Sequence, residues 1–353
     1  MAVAVESVQR HPWEPLRDRC QRVLVRAGMK PDDAFLVADS LVLADMRGVH
    51  SHGLMRLPVY VERMQRGGLN PRPSPHVVKE TVAMAVVDAD DGHGIPAGVQ
   101  AMDLAISKAR SAGVGVVAVR RSNHFGMAWY FVRRAVEQGM VGVACSNADA
   151  FVAPWGARQP YMGTNPLAVG IPAGEEPPIA LDMATSAGAH GRIVLARDRG
   201  EPIPPDWALD ADGRPTTDPA AALAGTLLPF GGPKGSAISL IIDLVCGPLA
   251  GALTGPHIAP LFGDTARPQR LGHLFMALDV AAFTDPATFA REVDASIRAV
   301  RSLPPAHGFE RVLLPGEREW EEEQRSRREG VAIAPGTLAA LAALERELGI
   351  AGP

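Results

Sequence analysis

The stretch Asp91-Gly-His-Gly-Ile-Pro-Ala-Gly98 decides how the chain is read. It follows a short apolar run, Ala83 to Asp88, that reads as a strand, and it leads into a helical pattern from Pro96 to Ala112. A strand, a glycine-rich turn and a helix frame many dinucleotide-binding units. Here Gly92, Gly94 and Gly98 spell G-x-G-x-x-x-G, one residue longer than that fingerprint, with Pro96 inside it. No acidic residue closes the unit. A nicotinamide cofactor bound by this chain is therefore expected to lie elsewhere than on a Rossmann loop.

Outward from that stretch the pattern keeps alternating. His76 to Thr81 reads as a strand upstream, and Val114 to Val119 as a near-continuous apolar strand downstream. A helix to Gln138 follows, then apolar runs at Met140 to Ser146, Pro166 to Ile171 and Pro178 to Asp182. A Pro- and Gly-rich passage, Gly200 to Pro219, reads as a surface excursion. A helix from Lys234, a strand Gly272 to Asp279, a helix Pro286 to Leu303, a strand Glu310 to Leu314 and two final helices complete an α/β chain. Glu317 to Glu329 mixes both charges densely and reads as a solvated helix face. Residues 14–68 read as three helices, the first ending at Gly28, the second opening at Pro31-Asp32-Asp33, the third carrying Leu57, Val61 and Met64. The second carries an apolar stripe of Phe35, Ala38, Leu41 and Val42.

The 353 residues carry 47% hydrophobic and 21% charged side chains, with 35 Lys and Arg against 39 Asp and Glu. Such a balance excludes disorder and offers no basic field for nucleic acid or an anionic membrane. Cys20, Cys145 and Cys246 form no close pair in sequence, which points to a reducing compartment. Residues 1–15 lack the apolar centre of a secretory leader, so a cytoplasmic location is expected. Ala237 to Thr254 is interrupted by Asp243 and Pro248 and reads as a buried helix rather than a membrane span.

Four places offer chemistry. His50-Ser51-His52-Gly53, with Arg56 four residues past His52, combines imidazoles that exchange protons near neutrality with a planar cation that grips carboxylates. This suits a 2-oxo or 2-hydroxy acid; a metal-binding His50/His52 pair and an ordinary interhelix loop are the other readings. Ser122-Asn123-His124-Phe125-Gly126 follows a strand, where α/β proteins bind ligands, although Ser122 and Asn123 also suit a helix cap near Met127. Gly163-Thr164-Asn165-Pro166 reads as a turn with polar side chains. Gly231-Gly232-Pro233-Lys234-Gly235-Ser236 opens a helix with glycines and a cation, suited to phosphate but without Walker A spacing.

In order along the chain, RGVHSHGLMRLPVYVERMQRGGLNP, RRSNHFGMAWY, APWGARQPYMGTNPLAVGIPA, ALDMATS, PTTDPAAALAG, LLPFGGPKGSAISLIIDL and LLPGER resemble the type-2 malate/L-lactate dehydrogenase family. That family includes sulfolactate and ureidoglycolate dehydrogenases, 2,3-diketogulonate reductase and Δ1-piperideine-2-carboxylate reductase. The resemblance implies an α/β (α+β) non-Rossmann fold, a mixed and largely antiparallel sheet with flanking helices. It implies hydride transfer between NAD or NADP and the α-carbon of a small carboxylate, in a homodimer. Residue by residue, it implies His52 as proton donor, with His124 contacting substrate or nicotinamide, although His124 matches the acid/base histidine of other members. It implies Arg56 on the substrate carboxylate, with Ser51, Asn123, Thr164 and Asn165 completing the pocket. Asp182, Met183, Ala184, Thr185, Ser186, Lys234, Gly235, Ser236, Pro315, Gly316 and Glu317 match cofactor segments, and no metal is implied.

Expected units are residues 1–75 as a helical segment carrying SHG, 76–310 as the cofactor- and substrate-binding core, and 311–353 as a helical segment packing back on it. HSHG, Ala189-His190-Gly191 and KGS look closer to the imino-acid reductases, GPKG and GHLFMALD closer to the hydroxyacid branch. Pro233 and Arg192 replace a His and a Lys that are common in the family. A catalytically silent dimeric ligand-binding protein and a metal-dependent hydrolase are the readings from other classes.

Overall fold

A computed structural model describes residues 9–350. Part of the leader reading, residues 1–8, and the last three residues of the expected C-terminal unit lie outside the described residues. The chain runs β1 (Arg10–His11), α1 (Trp13–Arg26), α2 (Pro31–Met46), α3 (Leu57–Arg66), β2 (His76–Glu80), β3 (Met84–Asp88), α4 (Gly94–Ala112), β4 (Val114–Ser122), α5 (Trp129–Val136) and β5 (Met140–Ser146). It continues β6 (Leu167–Ile171), β7 (Ile179–Met183), α6 (His190–Arg199), β8 (Ala208–Leu209), α7 (Pro219–Ala224), β9 (Thr226–Leu227), α8 (Pro233–Cys246) and β10 (Leu271–Asp279). The last elements are α9 (Pro286–Arg301), α10 (Glu317–Glu329), β11 (Val331–Ala332) and α11 (Pro335–Glu347).

The principal sheet has the order β2-β3-β4-β10-β5-β6-β7. Only β3 and β4 pair in parallel, joined by α4; the other neighbours are antiparallel. Strand periodicity assigns the two faces. Val117, Ala144, Ala168 and Phe275 belong to the main core, on which α4 and α5 pack, whereas Cys145, Leu167 and Leu274 point the other way, toward Ile242 and Cys246 of α8. β4 is almost uninterruptedly apolar because it is interior to the sheet and covered by α4.

The glycines that opened the sequence reading serve packing. A Cβ on Gly94 would lie 2.2 Å from the Asn123 carbonyl oxygen, and one on Gly98 2.5 Å from the Phe131 ring. The first turn of α4 is thus pressed against the loop after β4 and is capped by His93, whose Nδ1 accepts the Ile95 N–H. These glycines are thus accounted for by close packing within the protein.

The N- and C-terminal segments meet. β1 pairs with β11, and α10 and α11 lie against α2, α3 and α1. Leu16, Cys20, Val23 and Leu24 of α1 face Val37, Ala38, Leu41 and Val42 of α2, each buried. Full burial of a side chain such as Leu41 contributes about 2 kcal/mol. Phe35 departs from the expected stripe: it is exposed, with the Arg17 guanidinium 5.0 Å from its ring centre.

Four readings of the sequence are corrected. Glu310 to Leu314 forms no strand; it is an exposed to half-buried segment whose continuation touches β7 through Ala180 N–H and the Pro315 carbonyl. Gly200 to Pro219 is more than a surface excursion, since Ile203 and Ala208 join Val152, Met162, Ile193, Ala222 and Leu227 in a second small core. α8 is not a buried helix: Ile238, Leu240, Ile241 and Leu244 are exposed on it. Ser122 and Asn123 cap no helix, because Ser122 ends β4 and α5 starts only at Trp129, whose N–H is taken by Asp182 Oδ2 at 2.7 Å.

Candidate active site

β4 and β5 flank β10 and both run antiparallel to it, so both deliver their C-termini to the same end of the sheet. The loops there, Asn123 to Gly126 and Asn147 to Ala150, meet the turn between α2 and α3. That turn is wound around one carboxylate. Asp45 Oδ1 faces His50 Nδ1 at 2.9 Å, and Oδ2 accepts the Leu54 N–H at 2.8 Å. Gly53 is required at its centre, because a Cβ would lie 2.2 Å from the Asp45 carboxyl. Burial pushes Asp45 up and His50 partly offsets this; the same pairing raises His50. Two short 3₁₀ turns, His50–His52 and Leu54–Arg56, result and present His52 and Arg56.

Arg56 donates Nε–H to the Ser51 carbonyl at 2.6 Å, and its guanidinium carbon lies 5.3 Å from the centre of the Phe262 ring. Neither terminal nitrogen has a protein partner among the described residues, and neither is buried. What remains is the end-on fork, the two-pronged donor that fits a carboxylate.

His124 is more tightly specified. Its N–H goes to Gln269 Oε1 at 3.0 Å, and its Nδ1 accepts from Gly126 N–H at 3.3 Å and Tyr60 O–H at 2.7 Å. With Nδ1 an acceptor, the ring proton sits on Nε2. The His52 ring stacks on His124 with centroids 5.6 Å apart and an interplanar angle of 15°. His52 Nδ1 meets Ser51 Oγ at 3.0 Å. The Nε2 atoms of both rings have no partner among the described residues and are not buried. Desolvation, then the Arg56 charge, pushes His52 down to about 3; the same causes, with neighbouring imidazoles, push His124 well below its usual value. Both are neutral at pH 7.

The structure brings Ser51, His52, Arg56 and His124 together and gives other work to two expected pocket residues. Asn123 donates to the Asp91 and Gly92 carbonyls and accepts from Gln269 N–H. Asn165, fully buried, accepts from Ala148 N–H and donates to the Ser239 carbonyl. Their amides brace loops. Thr164 keeps a half-exposed side chain while its carbonyl accepts from Thr185 N–H and Oγ1–H. His50 turns to Asp45 rather than to His52.

The expected cofactor segments fall into two groups. Thr185 and Ser186 lie beside Pro229 and Phe230, which lead into Lys234, Gly235 and Ser236 at the start of α8. Ser236 Oγ accepts the Trp155 N–H at 2.9 Å. Asp182 and Met183 end β7 and Ala184 follows it; Asp182 is crowded by protein yet meets solvent, and desolvation moves its carboxyl up to about 6. Pro315 and Gly316 dock on Ala180, and Glu317 is held by Arg301 Nε–H at 3.0 Å and Leu314 N–H at 2.9 Å.

Sequence reasoning missed Tyr60, Asp45 and Asp149. Tyr60 lies one helical turn past Arg56, a spacing that signals a shared face. Asp149 follows β5, and its Oδ2 accepts the Leu261 N–H at 3.2 Å; burial raises it, with Arg56 and Arg63 pulling the other way.

A sequence profile described as malate/L-lactate dehydrogenase matches residues 12–342. The chain belongs to that family. L-Sulfolactate dehydrogenase of Methanocaldococcus jannaschii is 40% identical over 331 residues, covering 93% of this chain and 94% of the relative. Delta(1)-pyrroline-2-carboxylate reductase of Ancylobacter novellus is 39% identical, covering 92% of this chain and 94% of the relative. The solved sulfolactate dehydrogenase of M. jannaschii superposes with a TM-score of 0.91 at 38% identity, over 97% of this chain and 98% of that one. The family fold is the non-Rossmann, mostly antiparallel one seen here. As a member, the chain is an oxidoreductase of small acids, a dehydrogenase or reductase acting on CH–OH or C=N groups with a nicotinamide cofactor.

Proposed function

We propose that this enzyme moves a hydride between NAD or NADP and the α-carbon of a small 2-oxo or 2-hydroxy acid, with Arg56 holding the carboxylate and His52 carrying the proton. One observation carries this reading: the unpartnered fork of Arg56 opens beside the stacked His52 and His124 rings, whose Nε2 atoms also lack partners. Reduction of cyclic 2-imino carboxylates by the same groups is a second reading, favoured by the likeness to the A. novellus reductase.

The chain's residues fit a phosphate-bearing cofactor. The α8 N-terminus has no side-chain cap, Lys234 is exposed with no ion pair among the described residues, and Ser186 Oγ is buried without a partner. Asp182, Met183, Ala184, Thr185, Ser186, Lys234, Gly235, Ser236, Pro315, Gly316 and Glu317 would hold it. The cofactor, when bound, supplies the hydride chemistry of its nicotinamide ring.

The protein's part is orientation and proton transfer. Neutral His52 is in the base form, ready to take the substrate hydroxyl proton at Nε2 during oxidation. With Nε2 free to accept, the His52 ring proton sits on Nδ1 and is donated to Ser51 Oγ, an arrangement that persists when Nε2 takes up a proton. His124, with Nδ1 committed to Tyr60 and Gly126, offers Nε2–H to the substrate oxygen or imine nitrogen. An anionic substrate on Arg56 offsets the charge that depresses both imidazoles, which favours the protonated His52 needed for reduction.

The enzyme acts as a cytoplasmic homodimer in this reading. Three free cysteines suit a reducing compartment, and the apolar face of α8, Ile238, Leu240, Ile241 and Leu244, suits a second copy. A panel of 2-oxo and cyclic 2-imino acids with each reduced cofactor, followed at the nicotinamide absorbance, tests the assignment. Oxidation of one cofactor by an acid is expected. Failure of every acid, together with failure of either cofactor to bind, overturns it.

A further inference from the structure

Arg63 has no solvent exposure, and no carboxylate lies within ion-pair distance among the described residues. Its guanidinium instead gathers backbone carbonyls. Nη1 donates to Pro260, Leu261 and Asp264 at 3.1, 3.3 and 3.2 Å, and Nη2 to Gly68 and Arg267 at 3.4 and 2.6 Å. A buried cation is costly unless its N–H groups are matched; Nε alone is buried without a partner among the described residues, while the two terminal nitrogens reach several carbonyls around a turn that a single ammonium cannot. The segment from residue 260 to 267 is folded around this one side chain.

That segment forms a wall of the active site. Leu261 gives its N–H to Asp149, Phe262 covers one face of the Arg56 guanidinium, and Gln269, just beyond, holds the His124 N–H through Oε1 and the Asn123 amide through its own N–H. Gln269 Nε2 ties back to the Ala259 carbonyl at 3.3 Å. Every contact that orients Arg56 and His124 from this side therefore comes from a loop centred on Arg63, one turn past Tyr60 in α3.

We propose that Arg63 is a positioning residue, which sets the carboxylate-binding edge of Arg56 and the placement of His124 by holding the loop that carries Phe262 and Gln269. This rests on the proposed roles of Arg56 and His124. A purely structural Arg63 would lower thermal stability and leave the kinetics of the folded enzyme unchanged.

The experiment compares the full-length enzyme with Arg63→Lys and Phe262→Ala, by steady-state kinetics on an acid the wild type turns over and by hydrogen–deuterium exchange across residues 258–270. Arg63→Lys is expected to speed exchange in that segment and lower kcat/KM for the acid at least 10-fold. Phe262→Ala, whose side chain is exposed, is expected to raise KM for the acid about 3-fold or more while KM for the cofactor and the melting temperature stay put. Wild-type kinetics and exchange in Arg63→Lys, with only a lower melting temperature, would overturn the proposal. If Arg63→Lys does not fold, an unchanged acid KM in Phe262→Ala overturns it and a raised one supports it. If the wild type turns over no acid, the functional reading fails, while unchanged exchange in Arg63→Lys still overturns the role of Arg63 in holding the loop.

Discussion

Tyr60 on α3 and Arg56, which ends the preceding 3₁₀ turn, lie one turn apart and prepare two different events. The Tyr60 hydroxyl commits His124 Nδ1 as an acceptor at 2.7 Å, and in its absence only the longer Gly126 contact at 3.3 Å remains. Tyr60→Phe keeps the buried ring against His93 but frees the imidazole to exchange tautomers. A kcat loss of roughly 10- to 100-fold is expected, with KM for the acid nearly unchanged, since a preorganised donor to the reacting oxygen contributes on the order of 10²-fold or more. Steady-state kinetics across pH check it, and a proportional rise in KM with unchanged kcat would contradict it. Arg56→Lys keeps a charge but loses the fork, because Ser51 and Phe262 already occupy Nε and one face of the guanidinium. Charge-assisted bonds are worth about 1.5–3 kcal/mol, so kcat/KM for the acid falls about 10- to 100-fold, with cofactor binding by fluorescence titration as the unaffected control.

At the scale of elements, α8 presents two unlike faces, an inner one in the fold and an outer one proposed to meet a second copy. Ser239, Ile242, Asp243 and Cys246 face inward, while Ile238, Ile241 and Leu244 are exposed, with no cover from the described residues. Ile241→Asp is expected to leave the fold intact and shift the particle from dimer to monomer in light scattering; a monomeric wild type, or a dimeric variant, would contradict the proposed interface. The same helix marks where sequence reading falls short. Its apolar residues recur all round, which reads as burial, and only three-dimensional placement reveals that half of them lack a partner. Val312-Leu313-Leu314 misleads in a similar way, since local apolar composition suggests a strand although no neighbouring strand is there to pair with it. The central strands and the N-terminal helices were legible because their periodicity follows directly from which side is covered, as in β4 and α1. Among candidate site residues, the grouping of His52, Arg56 and His124 was suggested by short spacings, and the structure places their side chains together. Asp149 and Arg63 were not, because their partners lie 112 and about 200 residues away in sequence.

Across the whole molecule, the imidazoles that stitch the sheet and the helices together set its response to acid. His273, fully buried on β10, meets Ser146 Oγ on β5 at 2.7 Å and Ser122 Oγ on β4 at 2.8 Å, so it bridges three strands in its neutral form. His93 caps α4 through Nδ1 and has its Nε2 buried without a partner. Desolvation is the first cause in each case and pushes both down to about 3. In the unfolded chain they titrate near 6.5. Between those values the unfolded state binds protons that the folded state refuses, so stability is full above pH 6.5 and declines as pH falls toward 3. Each such histidine contributes about 1.4 kcal/mol per pH unit well inside that window, so the two together contribute about 3 kcal/mol per unit between pH 6 and 4. The carboxylates Glu323 and Glu345, held below their usual range in the fold by Arg327 and Arg47 and by Arg19, act lower, as pH falls through the ordinary carboxylate range. Asp182 and Asp243, raised to about 6 by desolvation, take up protons in the fold over the same range and oppose that loss, so a decline between pH 6 and 5 is assigned to histidine. Denaturant unfolding at pH 7, 6 and 5 measures the net slope, and His273→Gln, which retains a polar side chain for the two serines, is expected to remove about 1.4 kcal/mol per pH unit of decline from it. An unchanged slope in the variant would mean that the buried imidazole of β10 does not drive the acid sensitivity.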